Sequence, residues 1–358
     1  MAADAQITPA GRWAAAWAEV SIVVVACALS AAAVAIIAAD APADDRVLSA
    51  CLHVASILLP VGVGVGRLAR HPGDRFARLL IAAGLGWSLV SLAESSDEIV
   101  YSVGRTAVWL IEPALIYLLL AFPSGRLERR PDRLIFAATL VIVVGLWLPS
   151  TLLAPFPEPS PFATCGDSCP ANAFMVTDSL AGFFTDVVRP LREMLTVVLF
   201  AAVTVSLVQR ARGESPLLRS AIAPVAVVAV LRTIGLAVYF PFRTEDVQST
   251  VAEVLGWIFV ASLALVSAAF GIGLLRERLF AAKALERLTL GLRPHATAPE
   301  LRTALADALE DPSLRILHRV PGTPERWVDE HGAAAELPAP APGPVSYTHL
   351  TLPTNREV

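Results

Sequence analysis

Long apolar runs alternate with short clusters of charge along this chain. A helix needs about 20 apolar residues to cross a hydrocarbon core. Eight runs meet that length: Val20–Ala39, Val47–Val65, Phe76–Ala93, Val103–Phe122, Leu134–Ala154, Leu191–Val208, Ala221–Phe240 and Val251–Leu275. Backbone N–H and C=O groups find no water inside a bilayer, so each run is predicted to be a helix that pairs them internally. The first run is longer than the roughly 7–15 residues of a secretory signal core, and only Arg12 precedes it. It reads as a span, not a cleaved leader.

The charges between the runs change sign from loop to loop. After the first span come Asp40, Asp44 and Asp45 with one Arg46; after the second, Arg67, Arg70, Arg75 and Arg78. Glu94, Asp97 and Glu98 follow the third, and Arg126, Arg129, Arg130 and Arg133 the fourth. The long fifth loop has almost no base before Arg189 and Arg192. Arg210, Arg212 and Arg219 follow the sixth span, Arg243, Glu245 and Asp246 the seventh, and Arg276, Arg278 and Lys283 the eighth. Bases favour the cytoplasmic side. Every even-numbered loop is basic, which predicts a multi-pass plasma-membrane protein with both termini in the cytoplasm. Composition agrees: 55% of the 358 residues are hydrophobic and 17% charged, against about 25% charged in soluble domains, and the mean hydropathy is +0.62. The net charge of −4 averages opposing clusters. No basic stripe with interleaved aromatics points to nucleic acid; the partner that the pattern implies is the lipid bilayer.

Past Arg276 the composition turns to mixed charge. Residues 276–292 are predicted to continue the last span as a linker helix. Ala281, Leu285, Leu288 and Leu292 follow one another at four, three and four residues, the seam of a short coiled coil or one face of an amphipathic helix. Pro299–Leu309 predicts a further helix, Leu314–Val320 and Arg326–Asp329 two strands, and Glu336–Pro344 an Ala/Pro-rich linker. Val345–Thr354 resembles, residue for residue, a translation of a transposon-end adapter used in sequencing libraries. Residues 345–358 are therefore set aside as an artefact, and the native sequence is expected to continue past Pro344. The expected fold class is an all-α polytopic membrane protein, eight transmembrane helices over residues 1–275, followed by a partial cytoplasmic α/β unit over 293–344.

Ionisable residues inside spans are candidates for function. Glu112 lies ten residues from the inner end of the fourth span and Arg232 eleven from the inner start of the seventh. At 1.5 Å per residue both sit ~15–17 Å deep, where they could form an ion pair or each meet another polar group. Glu19, Arg105 and Glu253, near span ends, are expected to reach for water. Cys165 and Cys169 flank Gly-Asp-Ser in the fifth loop and could form a disulfide; Cys27 and Cys51 read as small buried hydrophobes. Two thiols without a histidine are too few ligands for a structural zinc. In Leu118–Arg133 a helix ends at Phe122, Pro123 stops it, Ser124-Gly125 turns, and Arg126 opens the arginine cluster of a cytoplasmic turn.

That turn, Ala121-Phe122-Pro123-Ser124-Gly125-Arg126-Leu127, resembles the AFPxGRL-type turn of the membrane sensor histidine kinases common in actinobacteria. Leu301–Val328 likewise resembles the opening of the GAF-like domain that often follows their spans. The resemblance implies the input region of a two-component sensor kinase, working as a homodimer and signalling to a response regulator through a kinase core beyond this chain. ATP and Mg would belong to that core. No histidine here stands in a helical His-Asp or His-Glu box, and no Walker-type or G-x-G-x-x-G loop appears. No catalytic, cofactor-binding or metal residue is therefore assigned. A small transporter or permease, and a sensory membrane protein with a non-kinase output, remain the alternatives.

Overall fold

The computed structural model describes residues 9–158, 160–165, 169–213, 216–245, 250–291, 297–309, 314–319, 327–329 and 332–335. These form two compact units, residues 1–213 with 219–277, and residues 214–218 with 278–358.

The first unit is all helix. Its elements are α1 (Pro9–Asp40), α2 (Arg46–Leu68), α3 (Arg75–Trp87, prolonged by a 3-10 segment Val90–Glu94), α4 (Glu98–Ala121), α5 (Arg130–Ile142), α6 (Leu148–Leu153), α7 (Ala181–Phe183), α8 (Arg189–Gly213), α9 (Pro216–Glu245) and α10 (Thr250–Gly291). A π turn, Val143–Trp147, joins α5 to α6, and another, Phe184–Val188, joins α7 to α8. Eight of the resulting helices are long and apolar enough to cross a membrane. The fold is that of an all-α, multi-pass membrane protein. Large apolar side chains cover its flanks, with Leu134 and Val141 each 70% exposed, as expected where lipid is the solvent.

Polar caps and small residues set the packing. Asp74 caps α3 by accepting from the Ala77 amide at 2.8 Å, and Asp97 caps α4 by accepting from Ile99 and Val100, both at 3.0 Å. α2 and α3 close on each other through two glycines. A Cβ on Gly84 would lie 2.8 Å from Pro60 Cγ, and one on Gly64 2.6 Å from Ile81 Cγ1. This is the small-residue contact that lets membrane helices approach. A Cβ on Gly104 would fall onto the main chain of Ala93, so α4 also needs glycine where it meets the 3-10 segment.

The spans start and stop differently from the apolar runs. The sixth runs Ala181–Arg212, ten residues earlier than its hydropathy suggests, because the second π turn carries helix through Asp186 and Arg189. The fourth starts at Glu98, where the Asp97 cap ends the loop.

Asp45 stands just outside α2. Partial burial, then Glu253, Glu94 and Asp44, push its carboxyl above the ordinary value of 3.8. The folded chain therefore holds this proton more tightly than the unfolded chain, and stability falls as pH rises from 3.8 through the raised value. Asp45→Asn is expected to raise the melting temperature at neutral pH, with the gain vanishing as pH approaches 3.8. A gain in Tm that stays constant across that titration would contradict this.

α10 continues without a break past Arg276 to Gly291, where the sequence predicts the linker helix. Of the seam residues, Leu285 is 65% exposed; Leu292 lies outside the described residues. The second unit further holds α11 (Ala298–Leu309) and the strands β1 (His318–Arg319), β2 (Trp327–Val328) and β3 (Ala334–Ala335) in one antiparallel sheet of order β1-β2-β3. The Glu300 carboxylate reaches back to the Thr297 amide at 2.8 Å and its hydroxyl at 2.9 Å, fixing the start of α11. β3 departs from the two-strand expectation. Gly332, at φ 81°, lets the chain reverse after Asp329, and Asp329 accepts from the Ala333 amide at 2.9 Å. His295, His331 and residues 336–358, including the linker and the adapter-like tail, lie outside the described residues.

Candidate functional site

Three polar clusters interrupt the apolar interior of the bundle. In the middle, Arg232 of α9 donates to Glu112 Oε1 of α4 at 2.9 Å, with side chains 0% and 9% exposed. The same guanidinium donates to Ser262 Oγ at 2.5 Å and to the Phe259 carbonyl at 3.4 Å, both on α10. Its charge centre stands 4.3 Å from the Phe259 ring and 5.1 Å from the Phe200 ring, so ring faces replace part of the lost water. One arginine thus joins α4, α9 and α10. A cavity of about 30 Å³ adjoins the pair, lined among others by Arg105, Trp109, Glu112, Thr196 and Tyr239. A water needs about 10–15 Å³ of such space, so the cavity fits a water or two beside the ions and no larger ligand.

The second cluster lies at the end of the bundle that carries Cys165 and Cys169. Glu94, 5% exposed, accepts from the Ser49 hydroxyl at 2.7 Å, from the Thr164 amide at 2.9 Å and from the Thr164 hydroxyl at 2.7 Å. His53 Nε2 stands 3.8 Å from the same carboxylate. Sequence reading took Glu94 for a loop acid and passed over His53; the available signal was Ser49 and His53 at i and i+4 within an otherwise apolar run. Thr164 is next to Cys165, which is disulfide-bonded to Cys169. The fifth loop is therefore tied to the bundle by a buried carboxylate.

Arg105 corrects an expectation. It does not reach for water but is 5% exposed, donating to the Tyr101 hydroxyl at 3.0 Å and the Pro157 carbonyl at 2.6 Å, with its charge 5.4 Å from the Phe156 ring. The fifth loop folds back over the span end and supplies those partners. Alkylating unreduced, denatured protein with N-ethylmaleimide should label Cys27 and Cys51, the two free thiols, and reduction should expose Cys165 and Cys169. Mass spectrometry showing four labels without reduction would rule out the disulfide.

The third cluster is the arginine-rich turn at the other end. Phe122 is fully buried. Its ring lies 5.3 Å from Phe76 of α3 and 5.3 Å from Phe270 of α10, and those two are 5.2 Å apart. Arg210 of α8 donates to the carbonyls of Leu120 and Phe122, each at 2.7 Å, covering acceptors that the end of α4 leaves open. The Phe122–Pro123 bond is cis. Gly125 has φ 74° and donates to Ala121 O at 2.7 Å; a Cβ there would stand 2.7 Å from the Phe76 amide nitrogen. Ser124 Oγ accepts from the Arg126 amide at 3.3 Å, and the Arg126 side chain is exposed. The turn is therefore a plug between α3 and α10 as well as an arginine anchor.

Among the described residues no group of three or more His, Cys, Asp or Glu side chains is placed to hold a metal ion. Comparison of the chain with protein-family models, with curated proteins and with solved structures found no match in any of the three.

Proposed function

We propose that this chain is the membrane-embedded input region of a two-component sensor histidine kinase, set in the plasma membrane with both termini in the cytoplasm. The observation that carries the reading is α10. It holds Ser262 against Arg232 and Phe270 against Phe122, then runs on as one helix to Gly291. A change in the bundle that shifts either contact is passed along a rigid rod. The segment after Pro294 is then the start of a GAF-like domain, and the kinase core, with its ATP and Mg, follows Pro344. Homodimerisation and transfer to a response regulator belong to the same proposal and rest on the resemblance of the turn and of Leu301–Val328.

The test is the uninterrupted gene past Pro344. A helix with a His-Asp or His-Glu box followed by an Asn/Gly-rich nucleotide domain supports the reading; an open reading frame without them ends it. Orientation is tested separately on intact cells: after reduction, a membrane-impermeant maleimide should reach Cys165 and Cys169 from outside. Labelling of these cysteines only after the cells are opened would reverse the topology.

A further inference from the structure

Hydroxyls inside these spans mostly satisfy themselves. Thr106, Thr139, Ser150, Thr151, Thr196 and Thr233 each donate to the carbonyl four residues earlier. Ser56 does not. Its Oγ is buried and has no hydrogen-bond partner among the described residues, and the same holds for Trp87 Nε1. Each residue is only 5% exposed. An unpaired polar group in such surroundings costs about 1–3 kcal/mol, more than a folded chain leaves idle twice in one place without cause.

Both side chains line a single cavity of about 40 Å³ between α2, α3, α4 and α10. Its other walls are apolar, among them Pro60, Gly84, Leu118 and Leu263. The one further polar wall residue, Ser267, already donates to Leu263 O at 3.3 Å. Ala83, Ile111 and Leu115 on its border are half-buried, so the cavity opens on the flank of the bundle, where mid-span residues face hydrocarbon.

This arrangement defines its occupant. The indole N–H can only donate, so the occupant must offer an acceptor; the Ser56 hydroxyl can donate to the same atom. The remaining walls reward apolar surface. At about 10–15 Å³ per water, the space admits a carbonyl with its neighbouring carbons while the rest of the molecule lies in lipid. We propose that this cavity binds a bilayer-soluble molecule through one hydrogen-bond-accepting oxygen, held between Trp87 Nε1 and Ser56 Oγ. The occupant would touch α10 at Leu263 and Phe270, whatever output follows that helix.

Benzophenone serves as the probe, being apolar, carbonyl-bearing and photoreactive toward C–H bonds. The full chain in phosphatidylcholine nanodiscs is irradiated with it and the adducts are mapped by mass spectrometry. Adducts should concentrate on the peptides holding Ala83, Ile111 and Leu115, and excess 2-nonanone should suppress them while nonane does not. Trp87→Phe and Ser56→Ala should each weaken apparent affinity about fivefold, the worth of one neutral hydrogen bond. Ser267→Ala, whose hydroxyl is already used, should leave it unchanged. The melting temperature of each variant separates lost binding from lost folding. Adducts spread evenly over lipid-facing residues, equal competition by nonane, or Ser56→Ala and Trp87→Phe labelling like wild type while folded would each overturn the site and leave it a pocket for water.

Discussion

Glu112→Ala is expected to destabilise the bundle by about 3–5 kcal/mol, because it strands a guanidinium in the low-dielectric interior. Arg232 has a side chain that is 0% exposed, and a guanidinium cannot shed its proton to escape the charge. The remaining partners, Ser262 Oγ and the Phe259 carbonyl and ring, soften the loss without supplying a countercharge. The reverse change, Arg232→Met, should cost less. A carboxylate left alone can take up one proton and become neutral, which no change at the arginine can match. The double variant Glu112→Leu with Arg232→Met removes both ions together and should be milder than Glu112→Ala, since desolvating two charges offsets much of what their attraction returns. Thermal unfolding of the four proteins in one detergent closes this cycle. Losses that simply add would mean that the two side chains do not act as a pair.

What the sequence carries is depth, and what it lacks is rotation. Hydropathy places each span along the membrane normal within a few residues, and counting from the inner ends puts Glu112 and Arg232 at one level; the structure sets them 2.9 Å apart. The count cannot say which face of a helix a residue occupies or which loop folds over it. Arg105 shows this: its level near a span end suggested water, yet Tyr101, Phe156 and Pro157 enclose it. Glu94 fails the same way, since its burial depends on Thr164, seventy residues on. The π turns at Val143–Trp147 and Phe184–Val188 leave no trace in a hydropathy profile, because inserting one residue into a helix changes no residue type. The Phe122 turn was legible as a stop signal through Pro123 and Gly125. Its place between Phe76 and Phe270 was not, because α3 and α10 meet there from distant parts of the chain.

Phe122→Ala should be the other large effect, about 3–5 kcal/mol for emptying a fully enclosed aromatic site. The ring is 0% exposed and bridges two helices that otherwise meet through Phe76 and Phe270 alone at this point. Little can collapse into the space. Gly273 faces the ring with no side chain to offer, a Cβ there lying 3.0 Å from Phe122 Cζ, and the turn's backbone is pinned by Arg210 through the Leu120 and Phe122 carbonyls. Phe122→Leu, which keeps more of the volume, should lose less. The location of the damage is more informative than its size. If Phe122 holds α10 to the turn, backbone amide exchange should quicken in α10 around Phe270 as well as in the turn itself. A lower melting temperature with faster exchange confined to residues 118–127 would show that the plug stabilises only its own loop, and α10 would then need another route to feel the bundle.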